Sequence, residues 1–245
     1  MAELEFDIAQ YTAKEVEQTA PDPAQIEQAV DLLASAESPV IIMGGGVILS
    51  ESEQELTAFA EKYQIPVITT YMAKGGLPVD HPLNAGHAGI QVGEPVGNKY
   101  MLESDVVLAV GCRFSDRHTG DLKVYRGERK FIHIDIEEKQ IGKVFEPDLG
   151  IVSDAALAIR ALTEAAERKG LTPSKNPRVE ELPSLREQMA RKTDYDTVPI
   201  MPHRVFHEIN KAFDADTMFT TGCGIVQIWS GQLQQIDKPR RYLPS

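Results

Sequence analysis

Four short apolar runs, residues 39–43 (PVIIM), 65–69 (IPVIT), 105–110 (DVVLAV) and 130–136 (KFIHIDI), recur along the chain with little polar alternation inside them. A strand without polar-out positions has to be covered on both faces, and a parallel sheet flanked by helices does that. The intervening segments supply the cover. Ile26, Ala29, Val30 and Leu33 repeat at helical spacing, as do Leu56, Phe59, Ala60 and Tyr63. Residues 150–152 read as a further strand feeding a helix that carries Ala155, Ile159, Leu162 and Ala166. The pattern predicts an α/β fold, a doubly wound parallel sheet over residues 21–169, with its site at the carboxyl ends of the strands.

The composition changes after Lys169. Residues 170–200 begin with a polar stretch containing Pro173 and Pro177 and read as a linker. Residues 201–245 read as the truncated start of a second α/β domain. Pro202 opens a helix with Val205, Ile209 and Phe213, residues 217–221 form a strand, and a helix follows from about Gln227. A single βα unit cannot cover both faces of its own strand.

A net charge of −12 argues against general nucleic-acid binding, and no apolar run is long enough to span a bilayer. The acidic start at residues 1–5 is no secretory leader, so the expected location is cytoplasmic. Cys112 and Cys223 form no CxxC pair and read as packed small hydrophobes. The chain has no GxGxxG, GxSxG, HExxH or GxxxxGK[ST] motif.

The chemistry-bearing residues fall at the expected strand ends. Gly44, Gly45 and Gly46 lead towards a helix expected near Glu51, and glycine there admits close backbone approach. Arg113 and Arg117 suit a pyrophosphate, and Asp135 suits sugar hydroxyls, so the loops together suit a dinucleotide. Plainer readings stand beside these: a ligand-free tight turn at the glycines, a surface ion-pair cluster of Arg113, Asp116 and Arg117, and ordinary polar and core histidines at His118 and His133.

Five ordered phrases carry a resemblance: residues 39–46 (PVIIMGGG), 66–72 (PVITTYM), 111–120 (GCRFSDRHTG), 131–142 (FIHIDIEEKQIG) and 237–245 (DKPRRYLPS). The chain resembles the thiamine-diphosphate-dependent acetohydroxyacid synthase and glyoxylate carboligase family. It looks like the central FAD-binding domain of such an enzyme with flanking pieces, residues 1–20 being a linker from a missing pyrimidine-binding domain. Residues 117–120 (RHTG), 147–155 (PDLGIVSDA) and 192–213 look closest to glyoxylate carboligase, the tartronate-semialdehyde synthase branch. Residues 227–229 (QIW) and 238–243 (KPRRYL) look more like acetolactate synthase, the alternative.

The resemblance implies FAD contacts at Gly44, Gly45, Gly46, Thr70, Tyr71 and Met72, then at Ala88, Gly89, Ile90 and Gln91. It implies others at Gly111, Arg113, Ser115, Arg117 and His118, at Asp135 and Ile136, and at Asp154 and Ala155, with Gln227 reaching the flavin. Cys223, Gly224, Ile225 and Val226 match the loop near thiamine diphosphate. FAD has a structural role in this family. Thiamine diphosphate and Mg²⁺ belong to the full-length parent, expected to be a homodimer or homotetramer that decarboxylates a 2-oxo acid and joins it to a second carbonyl compound. No catalytic or metal-binding residue is assigned to this chain, which is expected to be inactive alone and to bind FAD weakly. A non-catalytic nucleotide-binding module is the reading from another class. Reading frame beyond Ser245 that encodes GDG and a later asparagine would favour the enzyme.

Overall fold

The computed structural model describes residues 17–244; most of the linker expected over residues 1–20 therefore lies outside the described residues. Helix α1 (Pro23–Ala34) starts where Asp22 accepts a hydrogen bond from the Ala24 N–H at 2.8 Å, with Pro23 in its first turn. Strand β1 (Val40–Met43), the short helix α2 (Gly45–Leu49), α3 (Glu53–Tyr63) and β2 (Val67–Thr69) follow. Next come β3 (Asn84–His87), α4 (Pro95–Leu102), β4 (Val106–Val110), the short helices α5 (Asp116–Thr119) and α6 (Leu122–Arg126), and β5 (Lys130–Asp135). Strand β6 (Leu149–Val152) and helix α7 (Ala155–Lys169) complete the layered part.

All six strands are parallel, in the order β3-β2-β1-β4-β5-β6. The chain winds outward from β1 through β2 to β3, then returns to β1's other side as β4. The topological switch point lies between β1 and β4, where open sheets of this kind receive ligands. Side chains alternate between two cores. Ile41, Met43, Val67, Leu108, Val110, Ile132 and Ile134 face α1, α3 and α7. Val40, Ile42, Ile68, Val107, Ala109 and Phe131 face α4 and the aromatic group Phe114, Tyr125 and Phe145. The fold expected from the apolar runs is the one found, and all eight helix-stripe residues named for α1 and α3 are buried.

Three elements differ from expectation. The helix expected near Glu51 is α3, starting at Glu53, but an unexpected short helix, α2, comes before it and begins on the glycine run itself. Strand β3, made of Asn84, Ala85, Gly86 and His87, has no apolar signature and is nonetheless fully buried. Residues 170–200 contain helix α8 (Arg178–Gln188), whose Leu182 is buried in the second core.

The remainder is smaller. Helix α9 (Pro202–Ala212), strand β7 (Phe219–Thr221), helix α10 (Ile225–Leu233) and strand β8 (Tyr242–Pro244) form a two-stranded parallel unit. Val205, Phe213, Met218, Ile225 and Leu243 stay exposed on it, as a βα unit without a second covering layer requires.

Candidate functional site

The register places the strand ends in one row. Met43 sits level with Thr69 on one side and Val110 on the other, and Val110 sits level with Ile134. The ladder runs one step further: Thr70 N–H donates to Met43 O (2.9 Å), Gly44 N–H to Val110 O (2.8 Å) and Gly111 N–H to Ile134 O (2.8 Å). Thr70, Gly44, Gly111 and Asp135 thus stand abreast across the switch point, and the loops after them open on a common rim.

The glycines make that rim possible by packing backbone on backbone. A Cβ on Gly44 would overlap the Gly111 carbonyl, and one on Gly46 would come 2.7 Å from the Gly111 Cα. Gly111 itself has φ +62°, a conformation that favours glycine. Gly46 N–H donates to Gly111 O at 3.0 Å, so the amides of Gly44 and Gly46 are both engaged inside the fold. Two of the three glycines therefore serve the turn itself, and Gly45 packs against the Met72 Cβ.

Around the rim, Arg113 and Arg117 are exposed and neither joins an ion pair among the described residues. The ion-pair cluster considered for them does not form, because the Asp116 carboxylate turns back to accept the Arg117 N–H at 2.9 Å. Ser115 precedes α5 as its N-cap and its carbonyl accepts from the His118 and Thr119 amides. Met72, Ile90 and Ile136 are exposed apolar residues on the same loops. His118 is buried against Gly89, 2.8 Å from Tyr125 OH, and burial lowers its pKa to about 4. It is neutral near pH 7. Ala88 is buried, and Gln91 O accepts from the Gln232 side chain of α10 at 2.6 Å.

Asp135 ends β5 with its carboxylate accepting the Glu137 N–H at 3.0 Å. Asp154 caps α7, accepting the Leu157 N–H at 3.1 Å, and Ala155 is that helix's first residue. Ser153 is engaged with Thr19 O at 3.0 Å. His133 is a core residue whose Nε2 lies 2.9 Å from Cys112 O. Burial pushes the Cys112 thiol up to about 12, which suits a packed hydrophobe. Cys223 departs from that expectation: it is exposed, on the loop between β7 and α10.

That loop, with Gly224 at φ +145°, leads into α10, and Ile225 and Val226 are exposed. A hydrogen-bonded group ties α10 to the end of β2. Tyr71 OH lies 2.7 Å from Tyr242 OH and 3.2 Å from the Gln227 carbonyl. Tyr242 OH donates to Ser230 Oγ (2.8 Å), which donates to Gln234 Oε1 (2.6 Å).

Sequence reasoning missed the polar residues beneath this junction. Lys74, in the turn after β2, is buried and donates from Nζ to Gly231 O at 2.9 Å. Its Nζ also lies 2.9 Å from His87 Nε2, which makes that nitrogen the acceptor and puts the ring proton on Nδ1, facing Thr69 Oγ1 at 2.5 Å. Burial, reinforced by the Lys74 charge, holds His87 well below the ordinary histidine range. Burial lowers Lys74 to about 8 and raises Glu94. A lysine and a histidine thirteen residues apart carry no spacing signal; only the pairing of β2 with β3 brings them together.

The family model for the thiamine pyrophosphate enzyme central domain matches residues 26–162. Glyoxylate carboligase of Escherichia coli O157:H7 is 43% identical over 99% of this chain and 42% of its own length. A probable acetolactate synthase large subunit of Methanocaldococcus jannaschii is 39% identical over 93% of this chain and 39% of its own. The acetolactate synthase large subunit of Corynebacterium glutamicum is 37% identical over 92% and 36%. The chain thus spans about two-fifths of the length of these relatives.

Proposed function

This chain belongs to the thiamine pyrophosphate enzymes through their central domain, and from that premise we propose that it forms the FAD-binding segment of a carboligase of the glyoxylate carboligase type. The observation that carries the reading is the row Thr70, Gly44, Gly111 and Asp135 at the switch point, flanked by two guanidinium groups that join no ion pair among the described residues. The residues present fit such a group. Arg113 and Arg117 would pair with its pyrophosphate, and Asp135 would accept from ribose hydroxyls. Met72, Ile90 and Ile136 would cover its rings and keep water from them. Backbone groups of residues 223–226 would sit beside thiamine diphosphate.

Thiamine diphosphate supplies, when bound, the electron sink that allows a 2-oxo acid to lose carbon dioxide before carbon–carbon bond formation. The contribution of this chain is positional: Tyr71, Lys74 and Tyr242 hold α10, and with it Gln227 and the loop before it, against the flavin row. Two measurements test the reading. In a fluorescence titration of FAD, the pair Arg113→Ala and Arg117→Ala should weaken binding by about 10- to 100-fold, the usual worth of charge-assisted hydrogen bonds; unchanged affinity would contradict the site. In the full-length parent, glyoxylate should be the preferred donor. Preference for pyruvate would support an acetolactate synthase instead, a reading favoured by residues 227–229 and 238–243.

A further inference from the structure

A cavity of about 640 Å³ lies beside the Thr70 end of the flavin row, between the β2 and β3 ends and helices α8, α9 and α10. Its lining differs in kind from the rim. Lys74, Glu94, Arg186, Glu187, Arg191 and Lys211 all contribute to it, together with His87 and His207. Four of these are cations in a chain whose net charge is −12.

Some of these groups are fully engaged by the fold. The Arg186 guanidinium donates to the carbonyls of Val79, Asp80, His81 and Asn84, so it closes the β2–β3 loop. His87 is held between Thr69 and Lys74. Lys211 makes no side-chain hydrogen bond among the described residues, and three further groups retain hydrogen-bonding capacity. Lys74 uses two of its three N–H bonds, on Gly231 O and His87 Nε2. Arg191 donates only to Gly93 O, at 3.2 Å, among the described residues. The Glu94 carboxylate accepts no side-chain hydrogen bond among the described residues, although Gly86 is bare beneath it: a Cβ there would overlap a Glu94 oxygen.

The geometry between Lys74 and Glu94 is informative. His87 Nε2 lies 2.9 Å from the lysine nitrogen and 4.0 Å from a glutamate oxygen, yet no direct ion pair joins the two. Both groups flank His87, so a hydroxyl placed between them would accept from Lys74 and donate to Glu94. Arg191 then stands at the more exposed part of the same cavity, with most of its donors free for an anion.

We propose that this cavity is a binding site for a polyhydroxylated anion of the size of a sugar acid or sugar phosphate. One hydroxyl bridges Lys74 and Glu94, and the carboxylate or phosphate pairs with Arg191. The site's polar groups Lys74, Glu94 and Arg191 are none of the row residues Thr70, Gly44, Gly111 and Asp135, although the cavity begins at Thr69, beside Thr70.

Isothermal titration of the full chain with gluconate, glucose 6-phosphate, glucose and inorganic phosphate tests the proposal. At least one sugar anion should bind at millimolar or tighter concentration. Glucose should bind about 10-fold more weakly or worse, because it lacks the charge that Arg191 would meet. Whichever of gluconate and glucose 6-phosphate binds tighter identifies the anionic group. Arg191→Ala, an exposed change, should weaken binding about 10-fold, and Glu94→Gln should weaken it without altering FAD affinity measured in parallel. Should Lys74→Met fail to fold, Arg191→Ala decides. Absence of binding by both sugar anions, equal binding of glucose, binding of inorganic phosphate as tight as that of the sugar anions, or affinity unchanged in Arg191→Ala would overturn the proposal.

Discussion

The six-stranded sheet and the two-stranded unit after it solve the same problem differently. In the larger sheet both faces are covered, and its strand ends are fixed by backbone packed against backbone, with Gly44, Gly46 and Gly111 nested at the switch point. In the smaller unit Val205, Phe213, Met218 and Leu243 remain exposed, and its position comes from side-chain hydrogen bonds through Tyr71, Tyr242, Ser230 and Lys74. One region is held by tight steric fit, the other by polar contacts to its neighbour. Mutations should separate the two sharply.

The largest effect is expected at the switch point. Gly44→Ala would drive a Cβ into the Gly111 carbonyl, and Gly111→Ala would add a strained φ of +62° to a 2.6 Å approach to Gly46. Each should cost more than about 4 kcal/mol or prevent folding, read by urea denaturation. Gly222→Ala is the matched control in the smaller unit, where nothing lies within 4 Å of the added carbon. It should stay within about 0.5 kcal/mol. Equal effects at the two sites would break the comparison.

Leu182→Ala comes next. This buried residue of α8 fills the second core, so about 2–5 kcal/mol should be lost on truncation. A neutral result would mean that α8 does not pack on the sheet in solution. Tyr242→Phe removes one hydroxyl from the polar junction and should cost about 1 kcal/mol, with faster amide exchange confined to α10.

The two regions should also answer pH in different windows. His118 has a folded pKa of about 4, below its ordinary 6.5, so the unfolded chain takes up the proton first and stability falls as pH drops from 6.5 towards 4. Lys74 has a folded pKa of about 8, below 10.5, so its contribution to stability rises with pH between those values. Subtracting the stability profile of His118→Gln from that of the unaltered chain should isolate the acid window, and Lys74→Met the alkaline one. A difference curve that is flat in its window would contradict the corresponding burial.

Much of this was legible in the sequence for a physical reason. Buried strands such as residues 106–110 cannot afford polar positions, and helices such as α1 and α7 repeat their apolar residues every three or four places. The row of strand ends followed from parallel order alone. Strand β3 was not legible, since Asn84, Gly86 and His87 look like a loop and become a strand only by pairing with β2. Helix α2 begins on glycines of poor helix propensity and forms because the turn needs their close approach to Gly111. The ion-pair cluster expected at Arg113 and Arg117 does not form, because Asp116 accepts its neighbour's amide, a choice no local pattern announces. Lys74, His87 and Glu94 meet only through the tertiary fold, and no local pattern announces them.

The central claim is that the strand-end row receives a flavin nucleotide, and chemical-shift mapping of backbone amides during an FAD titration tests it most directly. The amides of Gly45, Thr70, Tyr71, Gly111, Arg113, Arg117 and Asp135 should shift together along one saturation curve. Shifts confined to the cavity around Lys74 and Glu94, or none at saturating FAD, would contradict the account.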